Sequence, residues 1–267
     1  MTKNIAHRGA RSVAPENTMA AVRKAFDFGA DLLETDVGVT KDEQLILFHD
    51  NSLERTTDVE ERFPDRASYL VTQFTLEEIR GLSAGAYFEK TDPYGEIAAG
   101  NVSREELAAY RDERVPTLEE ALVFTKENHW QVNLELKDLP GAFAAFPLHR
   151  HTLAMIRQVG LTFDQYVISS FNHTWLEEIA AMEPRIEVQA LQGRKPGHLL
   201  DFEDFRFPVY NPRHTEIDGA MIKTLQEKQK KINLFTVNEP EEMIRFLKAG
   251  VDGIITDFPQ RLRAIQQ

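Results

Sequence analysis

The chain has 267 residues, 31 Lys and Arg against 43 Asp and Glu, a formal charge of −12 and no cysteine. The missing thiols exclude disulfide frameworks, thiolate zinc sites, iron–sulfur clusters and a cysteine nucleophile. The acidic balance argues against nucleic-acid or anionic-membrane binding, since a polyanion repels the phosphates it would have to neutralise. At this length one large α/β barrel or two small domains are possible. No stretch approaches the roughly 18 apolar residues of a membrane span, and the N-terminus lacks the apolar core of a signal peptide. The expected location is therefore the cytoplasm, and the glycosylation-like triplets at Asn101 and Asn172 carry no weight.

Short apolar, β-branched runs alternate with helical patterns, the signature of βα repetition around a parallel sheet. The expected strands, in order, are Lys3 to His7, Leu32 to Val37, Leu45 to His49, Val132 to Leu136, Tyr166 to Ser170, Ile186 to Leu191, Phe207 to Tyr210, Ile232 to Val237 and Gly253 to Ile255. These nine are one more than a closed eight-stranded barrel needs, and Phe207 to Tyr210 is the weakest because Pro208 cannot donate to a central ladder. Helix starts are marked by Asn17-Thr18, by Thr117, and by Asn238 with Pro240 close behind.

Two places break the rhythm. Between Val37 and Leu45 there is no room for a crossover helix, because a parallel return takes about a dozen residues. The spacing leaves open an antiparallel pair or an irregular parallel return. From Asn51 to Arg114 the chain is charged and punctuated by Gly and Pro, with short helices expected at Thr75 to Arg80 and Ser103 to Arg111. This segment is expected as an insertion over one barrel face, either a lid or a solvated decoration. Gly193, Pro196, Gly197, Pro208 and Pro212 point to loops near the mouth between Gln192 and Arg213.

Two motifs mislead. Gly81-Leu82-Ser83-Ala84-Gly85 fits the G-x-S-x-G pattern but lacks the strand before and the helix after that a nucleophile elbow requires. His149 and His151 lie two apart on a helical pattern, cannot share a metal, and are expected at the surface.

The informative residues gather at strand ends. Glu34 and Asp36, at i and i+2, point to one side, and such like charges are costly unless a cation sits between them. Glu135 adds a third carboxylate, with Lys137 on the same side. Three carboxylates without cysteine describe an oxygen site for one divalent hard cation, Mg²⁺ or Ca²⁺. His7 with Arg8 ends the first expected strand, and His49 with Asp50 ends the third. In a βα barrel such side chains converge on the face where active sites sit. One imidazole can accept a proton while another donates, and Arg8 and Lys137 supply fixed positive charge for a phosphate.

His7-Arg8-Gly9-Ala10, Pro15-Glu16-Asn17-Thr18, Glu34-Thr35-Asp36-Val37, His49-Asp50, Arg55-Thr56-Thr57, Asn133-Leu134-Glu135-Leu136-Lys137, Thr236-Val237-Asn238 and Gly250-Val251-Asp252-Gly253 through Asp257 resemble, in order, the signature of the glycerophosphodiester phosphodiesterase family. The resemblance implies an irregular (β/α)8 TIM barrel of the phospholipase C-like phosphodiesterase type, one domain over residues 1–267 with an insertion near 51–114. It implies metal-dependent hydrolysis of glycerophosphodiesters to glycerol 3-phosphate and an alcohol. Glu34, Asp36 and Glu135 then look like metal ligands, His7 like the proton acceptor, His49 like the proton donor, and Arg8 and Lys137 like phosphate contacts. Glu16, Asn17 and Phe235 are carried over as further substrate contacts. A shared face for His49 and Glu34 also favours a parallel third strand. The implied partner is a small glycerophosphodiester, with no nucleic acid and no integral membrane association, and the oligomeric state is left open.

Two positions depart from the family pattern. Phe235 stands where Trp is common, which keeps an aromatic wall but loses an indole N–H. Glu43 stands where Gly is usual after Thr40-Lys41-Asp42, and a turn without positive φ is expected there. The alternatives are a lysophospholipase D-like enzyme, with Tyr69, Leu70, Tyr87, Phe88 and Tyr94 lining an apolar entrance, and a noncatalytic barrel binding polyol phosphates.

Overall fold

The computed structural model describes residues 1–202 and 204–267. Its strands are β1 (Lys3–His7), β2 (Leu32–Val39), β3 (Leu45–Leu47), β4 (Val132–Leu136), β5 (Tyr166–Ser170), β6 (Val188–Gln192), β7 (Val209–Pro212), β8 (Lys231–Leu234) and β9 (Gly253–Thr256). All except β3 pair in parallel in the order β1-β9-β8-β7-β6-β5-β4-β2, and a β1–β2 pairing closes the ring. The result is an eight-stranded parallel barrel surrounded by helices.

The ninth strand lies outside that ring. β3 runs antiparallel to β2, with Val37 opposite Leu47 and Val39 opposite Leu45, so the parallel third strand expected above is corrected. A tight turn makes the reversal: the Thr40 N–H donates to the Gln44 carbonyl at 3.0 Å, and Glu43 takes a left-handed φ of 61°. Glu43 therefore occupies the conformation that glycine adopts without steric cost, against the expectation of another turn type. His49 still reaches the mouth. Past the end of β3, the Phe48 N–H donates to the Asp36 carbonyl at 3.1 Å and delivers the next residue to the same end of the barrel.

Alternation along the strands divides two interiors. Leu33, Val132, Leu134, Ile168, Ala190, Ile232 and Ile254 face outward into the core between barrel and helices. Their neighbours in sequence face the lumen. There Ile5, Leu32, Val167 and Ile255 form a separate apolar plug, and Gln189, Asn211 and Asn233 form a buried amide network with bonds of 2.9 to 3.2 Å. Gly253 is required in this crowded lumen, because an added Cβ would meet Asn233 Oδ1 at 2.4 Å. β7 starts two residues later than expected. Pro208 precedes it, losing no ladder N–H and accepting instead from the Lys231 N–H.

The segment between β3 and the helix Leu118–Glu127 is packed rather than loosely solvated. It carries short helices at Val59–Arg62, Leu76–Arg80, Ala86–Thr91 and Arg104–Tyr110. Leu53, Val59, Val71, Phe74, Ile79 and Leu82 build an apolar cluster against Ile46 of β3, while Phe88, Leu107 and Tyr110 join the main core. Ser83 of the misleading motif is buried, its hydroxyl donating to the Arg111 carbonyl at 2.7 Å. His149, expected at the surface, is instead buried: its Nε2 lies 3.0 Å from Glu178, and Trp175 covers its ring. The helix carrying it is amphipathic, and His149 falls on the inward face with Leu153 and Ile156. Among the described residues, no helix is long and apolar enough to cross a membrane.

Candidate active site at the barrel mouth

Glu34 and Asp36 lie on the lumen side of β2, which continues to Val39 beyond them, and in the adjacent β4 Glu135 pairs with Asp36. Each of the three carboxylates offers an oxygen, and these atoms lie within 4.8 Å of one another. Their proximity is electrostatically expensive. Burial raises Glu34 well above the ordinary carboxylate range, and Asp36 and Glu135 push it the same way. Glu135 is raised by burial and by Asp36, against an opposing pull from Lys137. Burial would raise Asp36 too, but Lys137, Arg8, His49 and the Asn17 amide outweigh it and hold Asp36 well below its usual value. The Lys137 ammonium stands 2.6 Å from Asp36 Oδ1, and Arg8 Nε 3.2 Å from Oδ2. Both approaches are ion pairs without hydrogen-bond alignment, since Asp36 Oδ1 and Arg8 Nε lack aligned partners. Clustered oxygen donors whose mutual repulsion favours protonation fit a hard divalent cation, which would relieve it.

Both histidines are held through Nδ1 by a carboxylate. The His7 Nδ1–H donates to Asp257 Oδ1 across 2.6 Å, and the other Asp257 oxygen accepts from Asn238 at 2.7 Å. Burial would raise Asp257, but His7, Arg11 and Asn238 hold it below its usual range, so it is an ionised acceptor. Burial, with Arg8 and Arg11 adding to it, lowers His7 to about 4 despite Asp257. His7 is thus neutral near pH 7, protonated on Nδ1, with a free lone pair on Nε2. The His49 Nδ1–H donates to Asp50 at 2.5 Å, and Asp50 in turn accepts from Arg55 Nε.

Glu16 connects the two. Its carboxylate accepts from Arg8 at 2.9 Å, from Arg11 at 2.5 Å and from both terminal nitrogens of Arg55 at 2.9 and 2.6 Å. Arg11 stands 3.7 Å from Asp257, so one ionic network runs from His7 through Asp257, Arg11, Glu16, Arg55 and Asp50 to His49. Burial would raise Glu16, but the three guanidiniums outweigh it and hold it strongly ionised. The chain reaches this arrangement through a sharp turn after β1, where Arg8 has φ 55° and Gly9 φ 84°. A Cβ at Gly9 would lie 2.6 Å from the Ala21 backbone, so only glycine fits.

A cavity of about 600 Å³ opens at the mouth, and His7, Arg8, His49, Glu135, Lys137 and Phe235 line it. Glu34 sits below, in a small pocket shared with His7, Glu135 and Phe235. Asp36, Glu16 and Asn17 are not on the cavity wall. Asn17 is spent internally, donating to Asp36 at 2.9 Å and accepting from Thr35 at 2.8 Å. Tyr69, Leu70, Tyr87, Phe88 and Tyr94, expected as a possible apolar entrance, do not line the cavity either. Phe88 is core, the Tyr87 hydroxyl accepts from the Glu16 N–H, and Tyr94 packs edge-on against Phe258. No site role was expected for Arg11, Phe171, Arg194, Arg213 or Asp257, although Asp257 closes the motif that begins at Gly250. A signal existed for Asp257, a carboxylate just past the last strand, placed like Glu135.

A sequence model described as the glycerophosphoryl diester phosphodiesterase family matches residues 7–261. A glycerophosphodiester phosphodiesterase of Caldanaerobacter subterraneus subsp. tengcongensis is 34% identical over 264 residues, 97% of this chain and 95% of that one. One from Bacillus altitudinis is 32% identical over 275 residues, covering 100% and 99%. An Oleispira antarctica phosphodiesterase, solved with its product sn-glycerol-3-phosphate, shares the fold at a TM-score of 0.79 and 23% identity, covering 98% of this chain and 95% of that one. A match spanning residues 7–261 and relatives aligned over nearly their full length show that the chain belongs to the glycerophosphoryl diester phosphodiesterase family.

Proposed function

We propose that the chain hydrolyses glycerophosphodiesters to glycerol 3-phosphate and an alcohol, using His7 and His49 as base and acid and one divalent cation, Mg²⁺ or Ca²⁺. The observation that carries this reading is the matched pair of histidines on one cavity, each fixed through Nδ1 by its own carboxylate. A site that only binds a polyol phosphate needs no such pair.

Glu34, Asp36 and Glu135 would hold the cation, which when bound supplies Lewis-acid polarisation of a phosphoryl oxygen. The chain's own groups do the rest. Arg8 and Lys137 face the phosphate with fixed positive charge and offset the negative charge that builds on its oxygens. His7 takes the proton of the attacking hydroxyl on Nε2, while Asp257 keeps the ring in the tautomer that leaves this nitrogen free. His49, with Nδ1 engaged by Asp50, delivers a proton from its other nitrogen to the leaving alkoxide. That transfer contributes on the order of 10²- to 10⁴-fold, because an unprotonated alkoxide leaves poorly. Glu16 and Asn17 act as positioning residues, Glu16 by aligning Arg8 and Asn17 by orienting Asp36.

The test is release of glycerol 3-phosphate from glycerophosphocholine, read through a coupled dehydrogenase. Turnover that disappears in His7→Ala and in His49→Ala, with substrate affinity retained, supports the assignment. Wild-type rates in either variant would refute it.

A further inference from the structure

Across the mouth from the carboxylates, the wall carries a feature that cleaving a phosphodiester does not by itself require. Around the closed barrel, β7 lies four strands from β2 in either direction. Arg213 follows Pro212, the last residue of β7, and so stands opposite Glu34 and Asp36. Its guanidinium lines the cavity and is fixed in place. Nε donates to the Gly193 carbonyl at 2.7 Å, a terminal nitrogen donates to the Arg194 carbonyl at 2.9 Å, and Cζ lies 5.2 Å from the centre of the Phe235 ring. Arg194 lines the same wall over Phe171 at 5.0 Å, and the two phenyl rings meet edge to face at 6.0 Å.

What separates Arg213 from the other cavity cations is its charge balance. Arg8 is paired with Glu16 and Asp36, Lys137 with Asp36, and Arg194 with Asp138 at 3.4 Å. Arg213 hydrogen-bonds only to neutral carbonyls, and the carboxylate whose field it shares, Glu216, lowered by the Gly197 N–H and in part by that charge, forms no direct ion pair with it. In a chain of net charge −12, a cavity guanidinium with no directly paired carboxylate leaves N–H groups available to a ligand. Its remaining N–H groups match the oxygens of a carboxylate or phosphate. Because the side chain is already ordered by its carbonyl bonds and by Phe235, little further rotamer entropy is lost when an anion binds.

We infer that Arg213, with Arg194 beside it, forms a subsite for an anionic group on the alcohol moiety, so that the favoured substrates are glycerophosphodiesters whose head group carries a carboxylate or a second phosphate. This inference rests on the hydrolase reading above. The scissile phosphate is not the anion in question, since Arg8 and Lys137 attend it on the opposite side. The glycerol is not either, because it is uncharged.

The test compares kcat/KM for glycerophosphoglycerol, its terminal phosphate ester and glycerophosphoglycolate in the wild type, Arg213→Gln and Arg213→Lys, all with saturating cation. The wild type is expected to prefer both anionic head groups. Arg213→Gln should reduce that preference about tenfold, the scale of one charge-assisted hydrogen bond, chiefly through KM. Arg213→Lys should retain part of it. Arg213→Gln also frees two backbone carbonyls, and the ratio between substrates separates head-group recognition from general loss. Equal proportional losses on all three substrates, or an unchanged preference, would overturn the subsite. A wild type that hydrolyses none of the three would instead overturn the hydrolase reading.

Discussion

Asp257 accepts the Nδ1–H of His7 across 2.6 Å, and it is itself anchored by Asn238, so the ring of the proposed base is held in one tautomer. Asp257→Asn should keep the fold, since an amide of the same shape can still bond Asn238. The amide no longer demands a donor from His7, and the proton can move to the nitrogen that must accept from the attacking hydroxyl. The expected loss in kcat is about 10²- to 10⁴-fold with cation affinity little changed. Steady-state kinetics beside calorimetric titration of the cation check this, and a wild-type kcat would remove Asp257 from the mechanism.

His7 carries a second prediction, on pH. Burial and the neighbouring arginines depress it to about 4, so the base form persists well below the ordinary histidine range. A bound dication nearby acts in the same direction. Proton NMR of the imidazole ring should find His7 neutral at pH 6 and titrating near pH 4. Titration at 6.5 would show that burial does not control this group.

Glu16 should matter for stability as well as activity. Its carboxylate is buried and serves three guanidiniums, of which Arg8 and Arg11 are themselves largely buried. Glu16→Gln removes the carboxylate these three share, leaving Arg8 with Asp36, Arg11 with Asp257 and Arg55 with Asp50, and should cost roughly 3 kcal/mol at pH 7, the lower end for a broken buried pair because each guanidinium keeps one other partner. The folded carboxyl is depressed relative to the unfolded one. Its contribution is therefore full above the unfolded value of about 4.5 and fades as the pH falls below it. Denaturant unfolding of both proteins at pH 7 and pH 3.5 should show the gap narrowing in acid, and a gap independent of pH would contradict the account.

The turn between β2 and β3 gives a prediction independent of catalysis. Glu43 is exposed and left-handed. Relief of a penalty of roughly 1–2 kcal/mol, partly offset by the greater unfolded freedom of glycine, should make Glu43→Gly more stable by about 0.5–1 kcal/mol. Thermal unfolding checks the sign, and a destabilised variant would mean that the Glu43 side chain is doing unseen work.

Much of this site is legible from residue order, because in a βα barrel position along a strand determines position in space. β1, β4 and β5 fall at their expected boundaries, and the alternation that turns Val132 and Leu134 to the helices turns Asn133 and Glu135 to the lumen. The direction of β3 was not legible. The route of His49 depends on a bond from the Phe48 N–H to the Asp36 carbonyl, a tertiary contact without local signature. Glu16 illustrates the other limit. Its place in the motif marked it as important, but its role depends on arginines at 8, 11 and 55 that only folding brings together. Arg213 carries no signal, since it falls just beyond the strand expected at Phe207 to Tyr210, in a stretch whose prolines at 208 and 212 point to loops, whereas β7 runs through Pro212 and delivers Arg213 to the mouth.

Turnover at this mouth is expected to depend on a cation held by Glu34, Asp36 and Glu135. Release of glycerol 3-phosphate from glycerophosphocholine by EDTA-stripped protein, before and after Mg²⁺ or Ca²⁺ is returned, tests it most directly. No turnover is expected in chelator, with recovery in the wild type and much weaker recovery in Glu34→Gln than in the surface control Glu183→Gln. Full turnover in EDTA would contradict it.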